Sequence, residues 1–271
     1  MNKDNLSKIS NKKALLIVSV GTSCKKTNEK NLDSIEKAIT DNWSNVIVRR
    51  AFTSRTSISK AENKDAAHTT AEALSKLMAE DYKEIIIQPI QVIEGLEFEK
   101  IICSAMDFKG RFKKISIGRP LLSSRLDFIE LIAALDNEYG LKDGKHTIFI
   151  GHGSAHRGNQ AYRDLKVIFN NEGFEDVHIE TLKRNSGFDS LLMNLKEKKI
   201  DDVRLLPLMI SAGKHILEDI YGSSDESLKS VLESNGFSVE GSVKGLGEID
   251  GIIKIFIRHV KEAMDGIEKI S

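Results

Sequence analysis

Two stretches decide the fold when one is laid over the other: IIIQPIQVIEGLEFEKI at 85–101 and RLLPLMISAGKHILEDI at 204–220. Each opens with an apolar run, meets a proline, passes a glycine and continues with helical spacing, the order of a buried strand, a loop and a helix. Pro89 faces Pro207 and Gly95 faces Gly213 at one offset, 207 − 89 = 118. The openings of the two halves match as well, since Val20-Gly21-Thr22 and His152-Gly153-Ser154 each follow a first apolar run. The chain therefore reads as an internal duplication.

Working outward, short apolar runs recur at 14–20, 46–52, 84–90, 115–117, 147–150, 177–182, 203–210 and 237–243, and are read as eight strands. Between them lie segments of helical period: Leu32, Ile35, Ile39 and Trp43; Ala67, Ala71, Leu74 and Met78; Leu126, Ile129, Ile132 and Leu135. Continuous rather than alternating apolar strands, with helices between, predict parallel sheets covered on both faces. The expected fold is α/β: two flavodoxin-like lobes, each with a parallel four-stranded sheet, related by duplication, with the active site in the cleft between them. The expected units are 1–142 and 143–271, joined by NEYGLKDGK at 137–145. The last helix, expected at 249–264, is predicted to pack back across that boundary.

Length and composition agree with this. At 271 residues the chain suits two domains, and 40% hydrophobic residues with 3 Pro describe a globular protein. Lys and Arg together number 40, as do Asp and Glu, so no net field favours nucleic acid or an anionic membrane as partner. The opening MNKDNLSKISNK lacks the apolar run of a signal peptide and no later stretch is long enough to span a membrane, which points to the cytoplasm. Cys24 and Cys103 match no metal-ligand or disulfide pattern.

The chemistry-bearing residues sit where an α/β fold keeps its chemistry, at the ends of strands. In IFIGHGSAHRGNQAY, at 148–162, His152 follows a buried strand and His156 comes four residues later. On residue chemistry alone the favoured reading of His152 is the plain one, a group that caps the next helix or satisfies a loop carbonyl. A second histidine, His215 in PLMISAGKHILEDIYG, follows the third strand of the same half and precedes Glu218 and Asp219. Neutral imidazoles bind cobalt, nickel, iron and zinc, and a nearby carboxylate fixes their tautomer. Arg49, Arg50 and Arg55 are expected after the second strand, either as carboxylate binders or as a solvated basic edge. The loop GTSCKKT from Gly21 has the spacing of neither a dinucleotide fingerprint nor a P-loop, and GHGSAH is not a nucleophile elbow, so nucleotide binding and serine hydrolysis are set aside.

Seven motifs in order across both halves carry a resemblance: ALLIVSVGTS, VRRAFTSR, IIIQPIQVIEG, GRPLLSS, IGHGSAH, LLPLMISAGKH and KGLGE. Together they resemble the anaerobic sirohydrochlorin cobaltochelatases, class II tetrapyrrole chelatases of cobalamin biosynthesis. The resemblance implies insertion of a divalent metal into sirohydrochlorin or a related anionic tetrapyrrole: Co2+ first, with Ni2+ and Fe2+ accepting the same ligands. It implies no nucleotide and no redox cofactor, and a homo-oligomer is compatible with it. His152 and His215 match the family's catalytic, metal-binding histidines; Gly21, Thr22, Arg55, Gln91 and Glu94 are expected to face the macrocycle. Two positions depart from the pattern. Lys183 stands where the family usually has a glutamate, 32 residues before the second histidine, and Gln91 stands where its third-strand motif usually has a histidine. Glu180, three positions from Lys183 in an extended strand, is expected to face the opposite side and is a poor replacement for the glutamate, whereas Glu94 and Glu97 are compensating acids or plain surface groups. The alternative these departures suggest is a non-catalytic tetrapyrrole-binding paralogue.

Overall fold

The computed structural model describes residues 12–21, 27–54, 68–182, 187–211 and 213–266, with side chains for all of these but 27–30 and 214–216. Eight strands form among them: β1 Lys13–Ser19, β2 Ile47–Phe52, β3 Glu84–Pro89, β4 Lys114–Ile117, β5 His146–Gly151, β6 Val177–Thr181, β7 Asp202–Pro207 and β8 Ser238–Gly241. The helices between them are α1 Thr27–Asn42, α2 Thr70–Ala79, α3 Leu96–Met106, α4 Arg125–Tyr139, α5 Gln160–Asn171, α6 Gly187–Glu197, α7 Lys214–Tyr221, α8 Leu228–Ser234 and α9 Asp250–Asp265.

All pairings are parallel, in two sheets of order β2-β1-β3-β4 and β6-β5-β7-β8. The second order is the first repeated, as duplication predicts. Within it Pro89 and Pro207 each end a third strand, and Gly95 and Gly213 each cap the following helix. The order reverses between β1 and β3, and between β5 and β7, which makes the C-terminal ends of those strands the switch points where such sheets bind ligands.

Strand periodicity divides the core. On β1, Leu15 and Ile17 face the interior shared by both sheets, while Ala14, Leu16 and Val18 face α2 and α3. On β5, Phe149 joins the shared interior, and Ile148 and Ile150 face α6, α7 and α8. α1, α4, α5 and α9 fill the layer between the sheets, so one apolar core runs from Leu15 to Phe149 and Phe256. α9 packs chiefly on α4, with further contacts to α1, β3 and β4, and thus crosses back onto the first half as its sequence predicts.

That crossing is fixed by charge. Asp127 of α4 is fully buried and receives His259 Nε2 at 2.8 Å and Arg258 at 2.5 Å, while His259 Nδ1 lies 3.1 Å from the Arg119 carbonyl. Arg258 also reaches Glu130 and Glu262. Burial raises the carboxyl's pKa, but the bonds from His259 and Arg258 win and hold Asp127 well below the usual carboxylate range.

Three local expectations are corrected. Leu126, Ile129 and Met78 are exposed: α4 buries Phe128 and Leu131 alongside the expected Ile132 and Leu135, and α2 buries Ala73 and Leu77 alongside the expected Leu74. A wide apolar stripe leaves a helix's rotation undetermined by about one residue. Arg49 and Arg50 lie inside β2, not after it; Arg50 pairs with Asp33 and Glu36 of α1, and Arg49 with Glu80. They are braces from the sheet edge to its flanking helices. The connector is helical through Tyr139; only Gly140, left-handed at φ 62°, ends α4.

Candidate functional site

β5 is buried along its length and delivers its next residue, His152, to an exposed position at the second switch point. The His152 Nδ1 lies 3.0 Å from the carbonyl of Gly153. A carbonyl only accepts, so Nδ1 carries the proton of that bond, and a neutral ring then leaves Nε2 with a free lone pair. That is the form needed in a metal ligand or a proton acceptor. Gly153 adopts φ 77°, a left-handed turn that carries the chain away from the strand.

The loop after β5 meets the loop after β3 directly. His156 Nε2 bonds Glu99 Oε1 at 2.8 Å, and its Nδ1 lies 3.0 Å from the Glu94 carbonyl and 3.1 Å from the Gly158 amide. Nδ1 serves the amide when it lacks a proton and the carbonyl when it bears one. The backbones themselves touch: a Cβ at Gly158 would stand 2.0 Å from the Glu94 oxygen. The C-terminal ends of β3 and β5, from opposite halves, therefore form one wall. His156 is the residue whose part sequence reasoning missed; its signal was a second imidazole four residues after His152 in HGSAH.

Polar side chains left without partners gather at the same strand ends. Ser19 at the end of β1, Thr53 after β2, Gln91 after β3 and Ser211 after β7 hold buried oxygen or nitrogen atoms with no hydrogen bond among the described residues. Gln91 is 7% exposed and lacks partners on both amide atoms, although its backbone carbonyl accepts from Leu121. Each such group costs about 1–3 kcal/mol unless something satisfies it.

The remaining sequence-predicted residues are placed as follows. Glu94 is exposed on the loop after β3, and Gly21 follows β1 with φ 78°. Glu97 lies in the first turn of α3, its Oε1 2.6 Å from Lys100 and its other oxygen buried without a partner among the described residues. His215 lies in the first turn of α7, which follows β7. Thr22, Arg55 and Lys183 fall outside the described residues. Glu180 is half-buried toward the start of α6, its Oε2 3.1 Å from where a Cβ on Gly187 would stand, and burial raises its pKa. No group of three or more His, Cys, Asp or Glu able to hold a metal occurs among the described residues, and no helix among them is long and apolar enough to cross a membrane.

Two comparisons of sequence and one of structure complete the picture. The chain is 32% identical over 257 residues to the sirohydrochlorin cobaltochelatase of Salmonella typhimurium, covering 94% of this chain and 97% of that one. It is 28% identical over 264 residues to the sirohydrochlorin cobaltochelatase CbiKC of Nitratidesulfovibrio vulgaris, covering 95% and 92%. The fold is shared with SirB of Bacillus subtilis, solved with Fe3+, at TM-score 0.66, 14% identity, and 96% and 100% coverage. A SirB complex with cobalt from the same species superposes at TM-score 0.63 and 16% identity, covering 94% and 96%. The family model for cobalt chelatase (CbiK) matches residues 13–265, and the chain belongs to that family.

Proposed function

We propose that this protein is a chelatase that inserts a divalent metal, Co2+ foremost, into sirohydrochlorin. The single observation that carries the site is His152, exposed at the end of β5 with Nδ1 committed to Gly153 and Nε2 without a partner among the described residues. Metal insertion removes two pyrrole N–H protons and strips water from the ion. A neutral imidazole does both jobs near neutral pH, as transient ligand and as proton acceptor. Few protein ligands suit the task, because the metal must leave for the ring; a closed four-ligand shell would retain it.

In this reading His152 and His215, each following a central strand of the second half, hold the metal and receive protons. Gln91, Glu94, Gly21, Thr22 and Arg55 belong to the wall facing the macrocycle, with the unpartnered Gln91 amide available to a polar edge of the substrate. We further assign residues 1–142 and 143–271 to the two lobes, with α9 belonging to the second by sequence and leaning on the first by packing. The family and its relatives favour this catalytic reading over a binding paralogue.

The test is direct. Purified protein, sirohydrochlorin and Co2+ are mixed under anaerobic conditions, and the absorbance change on metalation is followed against a control without protein. Acceleration that His152→Ala abolishes supports the proposal; metalation no faster than the control ends it. Competition among Co2+, Ni2+ and Fe2+ in the same assay ranks the metals.

A further inference from the structure

The helix that carries His215 in its first turn, α7, is tied down at its far end. Its last residue, Tyr221, is half-buried and lays its ring beneath Gly241, the last residue of β8, with Cε1 only 2.6 Å from where a Cβ on Gly241 would stand. A larger residue at 241 would push the ring, and the helix with it, off the sheet. The phenolic oxygen reaches the point where the β7·β8 ladder ends, at the pair Leu205 and Gly241. It donates to the Leu205 carbonyl at 2.6 Å and the Ser242 carbonyl at 2.8 Å, which share its one proton, and it accepts the Ser242 N–H at 3.3 Å. The residue after it is held too, since the Gly222 carbonyl accepts from Ser227 Oγ at 2.7 Å.

At the other end of α7 the N-cap is Gly213, which brings no side-chain hydrogen bond to the first turn. A helix of eight residues is about two turns long and moves as one body, so what holds its last residue sets where its first turn stands. Bonds from imidazole to a divalent ion of this kind are about 2.1 Å long, and two rings on separate elements share an ion only if those elements hold still. Resting on the proposed metal role of His215, we infer that Tyr221 is a positioning residue for metal binding. By fastening α7 to the ends of β7 and β8, it fixes where His215 stands relative to His152 at the end of β5. Tyrosine at 221 and glycine at 241 form one device, six residues from the histidine they serve.

Tyr221→Phe keeps the ring under Gly241 and removes the oxygen. The experiment compares wild type, Tyr221→Phe, His215→Ala and the double variant by isothermal titration with Co2+ alone, with circular dichroism and melting temperature recorded for each. The expected result is about a fivefold loss of affinity in Tyr221→Phe, the worth of one hydrogen bond, and no further loss when the change is added to His215→Ala. A residue that merely stabilised the fold would lower affinity equally in both backgrounds, and that outcome overturns the inference. In the metalation assay the KM for Co2+ should rise about fivefold in Tyr221→Phe while the KM for sirohydrochlorin stays put; an equal rise in both overturns the positioning role. Gly241→Ala displaces the ring from the strand side and should reproduce the loss; if it folds and binds Co2+ like wild type, the anchor is refuted. If His215→Ala loses affinity and Tyr221→Phe does not, the anchor fails while the metal role of His215 stands. If His215→Ala binds Co2+ like wild type, the site reading fails and this inference with it.

Discussion

One strand, β5, carries a histidine at its start and is followed by another, and the two live in different worlds. His146 opens the strand, is 6% exposed, and lies near-parallel and edge to edge with His178 of β6, ring centroids 5.2 Å apart and Nδ1 2.9 Å from the His178 Nε2. His152 leaves the strand exposed, with one nitrogen committed and the other without a partner among the described residues. Same residue, same strand: position along the sheet separates them. At the N-terminal end of β5 the imidazole is packing material with a satisfied nitrogen. Past its C-terminal end it is exposed at the strand end where such folds bind ligands, the position our proposal uses.

The comparison breaks first under the largest test. His152→Ala should lower the rate of cobalt insertion by about 100-fold, in line with the worth of a general base, and change stability by no more than about 0.5 kcal/mol, as for other exposed positions. Metalation kinetics and chemical denaturation on the same variant check both halves of the claim. A third histidine, His259, extends the structural class. Its two nitrogens face an aspartate and a carbonyl across the α4–α9 contact, so His259→Ala should destabilise by about 3 kcal/mol through the lost buried ring and one unmade bond to Asp127, which Arg258 still holds. A smaller loss measured by urea unfolding would mean that Arg258 alone holds that carboxylate.

His146→Ala comes next. It deletes a buried ring and leaves His178 without its partner, a loss of about 2–3 kcal/mol in unfolding free energy, with cobalt insertion unchanged where the protein is folded. If this variant lost activity in proportion to His152→Ala, the division between the two ends of β5 would collapse.

The two ends also differ in pH response. Burial lowers the pKa of His178 to about 3, with His146 adding to the effect, and burial lowers that of His146 as well. The unfolded chain binds protons near pH 6.5 that the folded pair refuses, so the stabilisation is complete above about 6.5 and is lost as pH falls toward 3. The slope approaches about 1.4 kcal/mol per pH unit for one such group. Asp127 adds a second loss at lower pH. Its folded pKa lies below the unfolded value of about 4, so its contribution is present above 4 and disappears on further acidification. Denaturation midpoints from pH 7 to 4 should fall, and His178→Gln should flatten that descent; an unaltered slope would show that the pair is not kept neutral.

The smallest effect concerns His156, which joins the two halves but does not touch the metal in our reading. Its bond to Glu99 is partly solvated, with Glu99 46% exposed, so His156→Ala should cost no more than about 1 kcal/mol. A modest rise in KM for sirohydrochlorin with kcat retained would fit a wall that has loosened.

Much of this was written into the local sequence. The runs 84–90 and 203–210, with their prolines and glycines in register, announced β3, β7 and the helices after them, because strand burial and helix capping are short-range demands. The duplicated order, the placement of His152 after β5 and the return of α9 were legible for the same reason. The faces of α2 and α4 were not: Met78 and Leu126 are as apolar as Leu77 and Phe128, and only packing against a particular sheet chooses between them. Nor could sequence say that Arg50 braces α1, that His146 bonds His178, or that the Tyr162 ring packs beneath Gly151. Chain periodicity determines which elements form and in what order. Which buried group meets which depends on two sheets closing around one core, and that is a property of the tertiary structure alone.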